Sequence, residues 1–372
     1  MRQDTLRHCG LILGLCLGCA AGDRSDDLAR CQPSPDNPGV EVCDVVKPAE
    51  AAATAEPASA DLNPRLLRRF KSLRTNFSQG SPATAAQVDL GRMLYFDARL
   101  SRTKTVSCDS CHPLDRYGTT NAARSAGVGG KLALRNAPST YNAAGQFSQF
   151  WDGRGLNVEE QAMEPLLNPD AMGMTPESTV ATLTGIPGYS SLFRAAFPAD
   201  SQPIALKNVA VAIGAFERGL VTPGRWDRYL LGDRSALSEK EKEGLRVFTG
   251  VGCMVCHTGE LVGGSMYEKL GEAVPWPEGS DRGRAGVTHD PSDDMVFKVP
   301  SLRNVQRTAP YFHDGSAKTL EQAVRMMGMH QLGVELTQAE VTSLVAWLSA
   351  LTGSLPAEYI RRPALPGFTA TP

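Results

Sequence analysis

A mainly α-helical fold in two halves is what this sequence predicts, on three observations. Helix-start signals recur ahead of amphipathic stretches, long alternating strand patterns are absent, and one order of motifs occurs twice. With 36 glycines and 25 prolines in 372 residues, long irregular loops should join the helices. The length suits two domains of ordinary size. A composition of 42% hydrophobic and 21% charged residues, with net charge −2, is that of a globular protein. It offers no basic excess to neutralise phosphates, which argues against a nucleic-acid partner.

The chain opens with Arg2 and Arg7 ahead of the apolar run CGLILGLCLG, too short to span a bilayer as a helix. Residues 1–18 read as an export signal. Gly18-Cys19 resembles a bacterial lipoprotein cleavage site, so Cys19 is the expected lipid anchor. Cys16 stands where that signal usually has Leu, and an ordinary cleaved signal is the alternative. Residues 19–61 are rich in Ala, Pro, Asp and Glu and lack aromatics, so they are expected to form a tether without a core. Within it, Cys31 and Cys43 suit a disulfide in an oxidising compartment, worth roughly 3 kcal/mol in the chain-entropy model.

The expected N-terminal half spans 62–225, the C-terminal half 226–360, and a tail 361–372. In the first, Thr84-Ala-Ala-Gln87 is a capping box before Leu90, Met93 and Leu94, and Cys108-Asp-Ser-Cys111-His112 follows. In the second, Ser238-Glu-Lys-Glu241 precedes Leu245 and Phe248, and Cys253-Met-Val-Cys256-His257 follows. NAPSTYNAAGQFSQFWDGR is echoed by KVPSLRNVQRTAPYFHDGS, and VEEQA (158–162) by LEQAV (320–324). A last helix over 338–351 starts at the box Thr337-Gln-Ala-Glu340, carries Val341, Leu344, Val345, Leu348 and Leu351 on one stripe, and stops at Gly353.

Cys-x-x-Cys-His is the attachment signature of c-type haem: two thiols add to the vinyl groups and the His becomes an axial iron ligand. One such pentad is also compatible with a zinc half-site or a redox dithiol. Two in a duplicated, exported chain point to two covalent haems on Cys108, Cys111, Cys253 and Cys256, with His112 and His257 as proximal ligands. The second axial ligands are less determined. Met326, Met327 and Met329 lie in one helical stretch, and adjacent residues point about 100° apart, so at most one of Met326 and Met327 faces an iron. On spacing alone the cluster reads as core filler before it reads as ligand.

These residues resemble the bacterial dihaem cytochrome c peroxidases and their relatives, the MauG-type dihaem oxidases, over about Leu66 to Gly353. FWDGR (150–154), NPDAMGM (168–174), FKVPSLRNV (297–305), TAPYFHDGS (308–316) and MGMHQLG (327–333) carry the resemblance. It implies two c-type cytochrome-like haem domains, with Met327 as the axial ligand of the C-terminal haem, where MauG-type relatives have Tyr. It also implies Trp151 between the haems, Gln161 in the distal pocket, and an interdomain Ca2+ on Asn136, Thr308 and Pro310. His313 sits beside that segment, as a propionate partner or a structural residue. His289 and His330 are expected to be solvated and non-ligating. Two positions depart from the family: Val128 replaces a His that caps the N-terminal iron at rest, and Ala171 replaces a Glu that moves the proton during O–O cleavage. Asp170 and Glu164 are the nearby candidates to substitute.

The resemblance therefore implies an exported oxidoreductase that reduces H2O2 to water at the His112 haem. Electrons would come through the His257/Met327 haem from a small periplasmic cytochrome or cupredoxin. A MauG-like oxidase acting on a partner protein and a non-enzymatic electron carrier are the alternatives. Family members often form dimers. The stretch SAGVGGKLALRN (125–136) is not a phosphate loop, since Leu132 follows Lys131 where Ser or Thr is needed. It is expected to be a mobile loop over the first haem.

Overall fold

The computed structural model describes the backbone of residues 29–34 and 37–45 and, with side chains, residues 62–78, 82–277 and 281–367. The expected signal and Cys19 lie outside the described residues. Part of the expected tether is ordered, as an antiparallel pair of β1 (Ala29–Ser34) and β2 (Asn37–Val45). Val40, Val42 and Val45 give β2 the β-branched residues that strands favour. The register sets Cys31 opposite Cys43.

From Asp61 onward the chain is one compact unit. It is mainly helical and contains two apolar cores. The first gathers side chains of α2 (Ala85–Phe96), α4 (Val158–Leu167), α5 (Pro176–Gly185), α6 (Tyr189–Ala196) and α7 (Leu206–Glu217). The short α1 (Pro64–Leu67) precedes these, and the one-turn α3 (Cys108–Cys111) lies between α2 and α4. The second core gathers α8 (Arg225–Leu230), α9 (Glu239–Gly250), α11 (Leu320–Met326) and α12 (Gln338–Ala350). Two three-residue strands, β3 (Tyr267–Lys269) and β4 (Val296–Lys298), and the one-turn α10 (Ala285–Thr288) fill the loop after the second pentad. All three expected capping boxes form, at Thr84, Ser238 and Thr337.

The cores exchange pieces of chain across the boundary near residue 225. Leu62 and Phe70, at the start of the expected first half, are buried in the second core. Leu355, Tyr359 and Ile360, at the end of the expected second half, pack on the first. Tyr359 stacks on Phe216 at 5.1 Å, and its hydroxyl donates to the Phe216 carbonyl at 2.7 Å. Phe70, Trp226, Trp347 and Phe248 form a continuous aromatic contact in the second core, with centroids 4.3–5.9 Å apart.

The repeated motifs occupy equivalent places. Each half rests on a close helix pair, α2 on α7 and α9 on α12. A Cβ at Gly91 would collide with the Ala212 carbonyl, and one at Gly244 with that of Ser343. Asn142 and Asn304 both adopt the left-handed conformation, with φ 60° and 61°. Asn142 donates its N–H to Leu220 O at 2.8 Å, and Asn304 to Leu351 O at 3.1 Å. Both side-chain amides then donate to one hydroxyl, that of the fully buried Thr222, at 2.9 and 2.8 Å. Thr222 lies where the two repeats meet.

Candidate functional site

In both pentads the backbone coils so that the His N–H bonds back to the first Cys carbonyl, at 2.9 Å for His112 and 3.1 Å for His257. His112 Nδ1 meets the Gly118 carbonyl at 3.1 Å, and His257 Nδ1 meets that of Val262 at 3.2 Å. A carbonyl only accepts, so Nδ1 carries the proton and Nε2 is left as the metal-binding nitrogen. The carbonyls of Pro138 and Pro300 also bond the two rings. These are the prolines of the repeated Pro-Ser. The serines brace the same clamps: Ser139 Oγ donates to Tyr117 O at 2.6 Å, and Ser301 Oγ to Leu261 O at 2.8 Å.

Burial lowers both imidazole pKa values, that of His257 to about 4. Both rings are therefore neutral near pH 7, as iron ligation requires. Burial raises all four thiols, Cys253 to about 11, and all four are free and half-buried. Two thiols and one neutral imidazole per pentad fit two haem c groups: thioether attachment through the Cys pair, and axial ligation through Nε2.

The expected methionine helix is interrupted. α11 ends at Met326, and Met327–Gln331 forms a π-turn, in which Met327 N–H is shared between Ala323 O and Val324 O. Such turns insert a residue and re-aim the side chains that follow. Met326 packs against the second core, Met327 is half-buried beside it, and Met329 is exposed. His330 differs from expectation: it is half-buried, its Nδ1 bonds the Val274 and Pro275 carbonyls at 3.1 Å, and its ring lies 5.1 Å from Trp276. His289 is exposed, as expected.

Beside the first pentad, Val128 and Ala171 are brought together. Val128 is 1% exposed, joins the first core, and donates its N–H to Ala171 O at 2.9 Å. Gly127 N bonds Lys131 O at 2.7 Å and Ala133 N bonds Ser125 O at 2.9 Å. The loop expected to be mobile is thus closed on itself and pinned to the 168–174 segment. Gly127 allows that approach, since a Cβ there would strike the Asp170 and Ala171 carbonyls. Of the two candidate substitute carboxylates, Asp170 is exposed, and Glu164 is half-exposed with Arg154 at 3.5 Å. Gln161 is half-buried on α4. A carboxyl that sequence reasoning missed is Glu217 at the end of α7, 4% exposed and raised to about 8 by burial and by Glu159.

Trp151 and His313 meet edge to face at 6.4 Å. They hold the same place in the two Phe-x-Asp-Gly repeats, whose Phe150 and Phe312 both have positive φ. Trp151 Nε1 donates to Asn136 O at 2.9 Å, and Asn136 N donates to His313 O at 2.7 Å. His313 is buried and stacks on Phe297 at 4.4 Å. Asn136 is thereby held next to the 308–313 segment, which contains Thr308 and the cis Ala309–Pro310 bond. Among the described residues, no group of three or more His, Cys, Asp or Glu could hold a metal ion. A cation here would depend on amide and carbonyl oxygens, which suit calcium.

Residues 85–235 match the family model described as di-haem cytochrome c peroxidase. The chain is 43% identical to the cytochrome c551 peroxidase of Nitrosomonas europaea, over 74% of this chain and 83% of that protein. It is 41% identical to the cytochrome c551 peroxidase of Pseudomonas aeruginosa, over 87% and 92%. Identity to the methylamine utilization protein MauG of Methylorubrum extorquens is 33%, over 81% and 88%. The crystal structure of a MauG-like protein associated with microbial copper homeostasis superposes with TM-score 0.69 at 29% identity, covering 79% of this chain and 97% of that one.

Proposed function

The chain belongs to the di-haem cytochrome c peroxidase family, and from that membership we propose that it is an exported peroxidase-type oxidoreductase that reduces H2O2 to water. The haem groups that the family implies supply a redox-active iron for peroxide at one pentad and an electron store at the other. The chain's own residues do the rest. His112 and His257, locked by their carbonyl clamps, present Nε2 as proximal ligands. Met327, re-aimed by the π-turn, supplies a thioether on the second side, which favours the reduced state. Trp151, held by the Asn136 carbonyl, stands between the pentads as the electron path. Asn136, Thr308 and Pro310 supply oxygens for a calcium ion, and the strand-opposed Cys31 and Cys43 form a disulfide.

The observation that carries this reading is the pair of matching carbonyl clamps on His112 and His257. Val128 supplies no ligand to the first site, so peroxide has access at rest. Ala171 supplies no acid–base group, so turnover is slow, by about 10²–10⁴ for such a contribution. The donor is a small periplasmic cytochrome or cupredoxin, and Cys19 anchors the chain on the periplasmic side. Among the described residues, no helix is long and apolar enough to cross a membrane.

Stopped-flow absorbance of the fully oxidised and half-reduced protein mixed with H2O2 tests this. A fast spectral change followed by turnover with reduced cytochrome c is expected. A change that persists until a partner protein is added would replace this reading by the MauG-like one. No reaction would leave an electron carrier. Two six-coordinate low-spin haems at rest would overturn the open first site.

A further inference from the structure

Among the described residues, no carboxylate meets the buried cation Lys298. It ends β4, is 6% exposed, and its ammonium donates to the side-chain carbonyl of Gln146, a neutral group. By contrast, buried Arg303 meets Asp227 at 2.9 Å, and half-buried Arg135 meets Asp152 and Asp281 at 2.6 Å. For Lys298 burial acts alone and holds its pKa down to about 8. A charge in that setting is costly unless an anion joins it.

The repeat shows where that anion belongs. Lys298 precedes Val-Pro-Ser as Asn136 precedes Ala-Pro-Ser. Asn136 N–H donates to His313 O at 2.7 Å, and Lys298 N–H donates to Trp151 O at the same 2.7 Å. Both residues are 6% exposed. Each lies two positions before the proline whose carbonyl bonds the proximal His of its own half, Pro138 for His112 and Pro300 for His257. Lys298 thus relates to the second pentad as Asn136 relates to the first, with an ammonium where the first half has a neutral amide. Haem c carries two propionates as its only anionic groups.

We propose that Lys298 pairs with a propionate of the haem held at Cys253, Cys256 and His257, and so sets the charge beside the Trp151 electron path. The proposal rests on the reading of that pentad as a haem site. A cation on the propionate stabilises the iron with one electron added, so its removal favours the oxidised form.

Spectroelectrochemical titration of the purified dihaem protein tests this, with haem content per chain read separately from the pyridine haemochrome. For Lys298→Met with two haems retained, the reduction equilibrium of the second haem should shift about tenfold toward the oxidised state. That is about 59 mV for one electron. The first haem should move by much less, and Lys298→Arg should restore most of the shift. Unchanged midpoints at full haem content, or a shift confined to the first haem, would overturn the pairing. Wild-type protein with one haem or none would instead overturn the two-haem reading itself. Should Lys298→Met not accumulate, redox-difference infrared spectra of wild-type protein with and without 15N-lysine decide. A 15N-sensitive band on reduction of the second haem is expected, and its absence would overturn the proposal.

Discussion

The two pentads share their proximal side and differ in almost everything laid against it. Around His112 and His257 the clamps match carbonyl for carbonyl and serine for serine. Beyond that, the first half places a pinned apolar loop, Val128 on Ala171, and a buried Glu217. The second half places a methionine-bearing π-turn and a buried lysine. Each pentad exposes the residue before its second cysteine, Ser110 in the first and the apolar Val255, 71% exposed, in the second. The pentad and its clamp fix how an iron is held. On the proposed function, the segments brought to the other side would decide whether that iron is open to a ligand or reserved for storing an electron.

The comparison breaks most completely if one pentad is removed. Cys108→Ala with Cys111→Ala should leave one haem per chain, read by haemochrome assay and intact mass, and should abolish peroxide turnover. Cys253→Ala with Cys256→Ala should also leave one haem, but the remaining site should still bind small ligands such as cyanide.

The next test asks whether the two cores are independent. Leu94→Ala in the first core and Leu344→Ala in the second each empty a site that is 0–1% exposed. Each should cost about 2–5 kcal/mol in denaturant unfolding. Because each core holds chain from the other half, a single shared transition is expected for both variants. Two separate transitions would show that the halves unfold apart.

Ala171→Glu sharpens the catalytic side of the comparison. Ala171 is half-buried beside Val128. It should raise kcat for H2O2 by about 100-fold or more. Rates equal to wild type would show that this position is not where the proton moves.

The smallest effect concerns Glu217. Its pKa rises from 4.5 to about 8 in the fold, so between those values the folded chain holds a proton that the unfolded chain has released. Its contribution to stability is therefore complete below pH 4.5 and lost as pH rises through about 8. Glu217→Gln should flatten the fall of Tm over that window and gain on the order of 1–2 kcal/mol at its upper end. An unchanged slope would assign the pH dependence elsewhere.

Much of this was legible in the sequence. The three capping boxes and the apolar stripes gave α2, α9 and α12 nearly to the residue, because caps and periodicity are local. The order of echoed motifs gave the repeat. The meaning of the echoes was not legible: that Pro-Ser braces the proximal His, or that Asn142 and Asn304 converge on Thr222, depends on contacts between distant segments. The π-turn at Met327 carries no composition signal, since Gly328 suits an ordinary helix end as well. Glu217 and Lys298 went unnoticed because a charged residue in a helix or short strand reads as solvated until its surroundings are known. The β1–β2 pair was hidden by counting composition over the whole tether. His330 was read as solvated because its anchoring carbonyls lie more than fifty residues away.

The stacking of Tyr359 on Phe216 has a consequence for how the protein is made. Synthesis delivers the first pentad early and the last residues at the end. The surface of α7 that Tyr359 covers stays bare until nearly all of the chain has been made, so the core that is begun first is the last to be sealed.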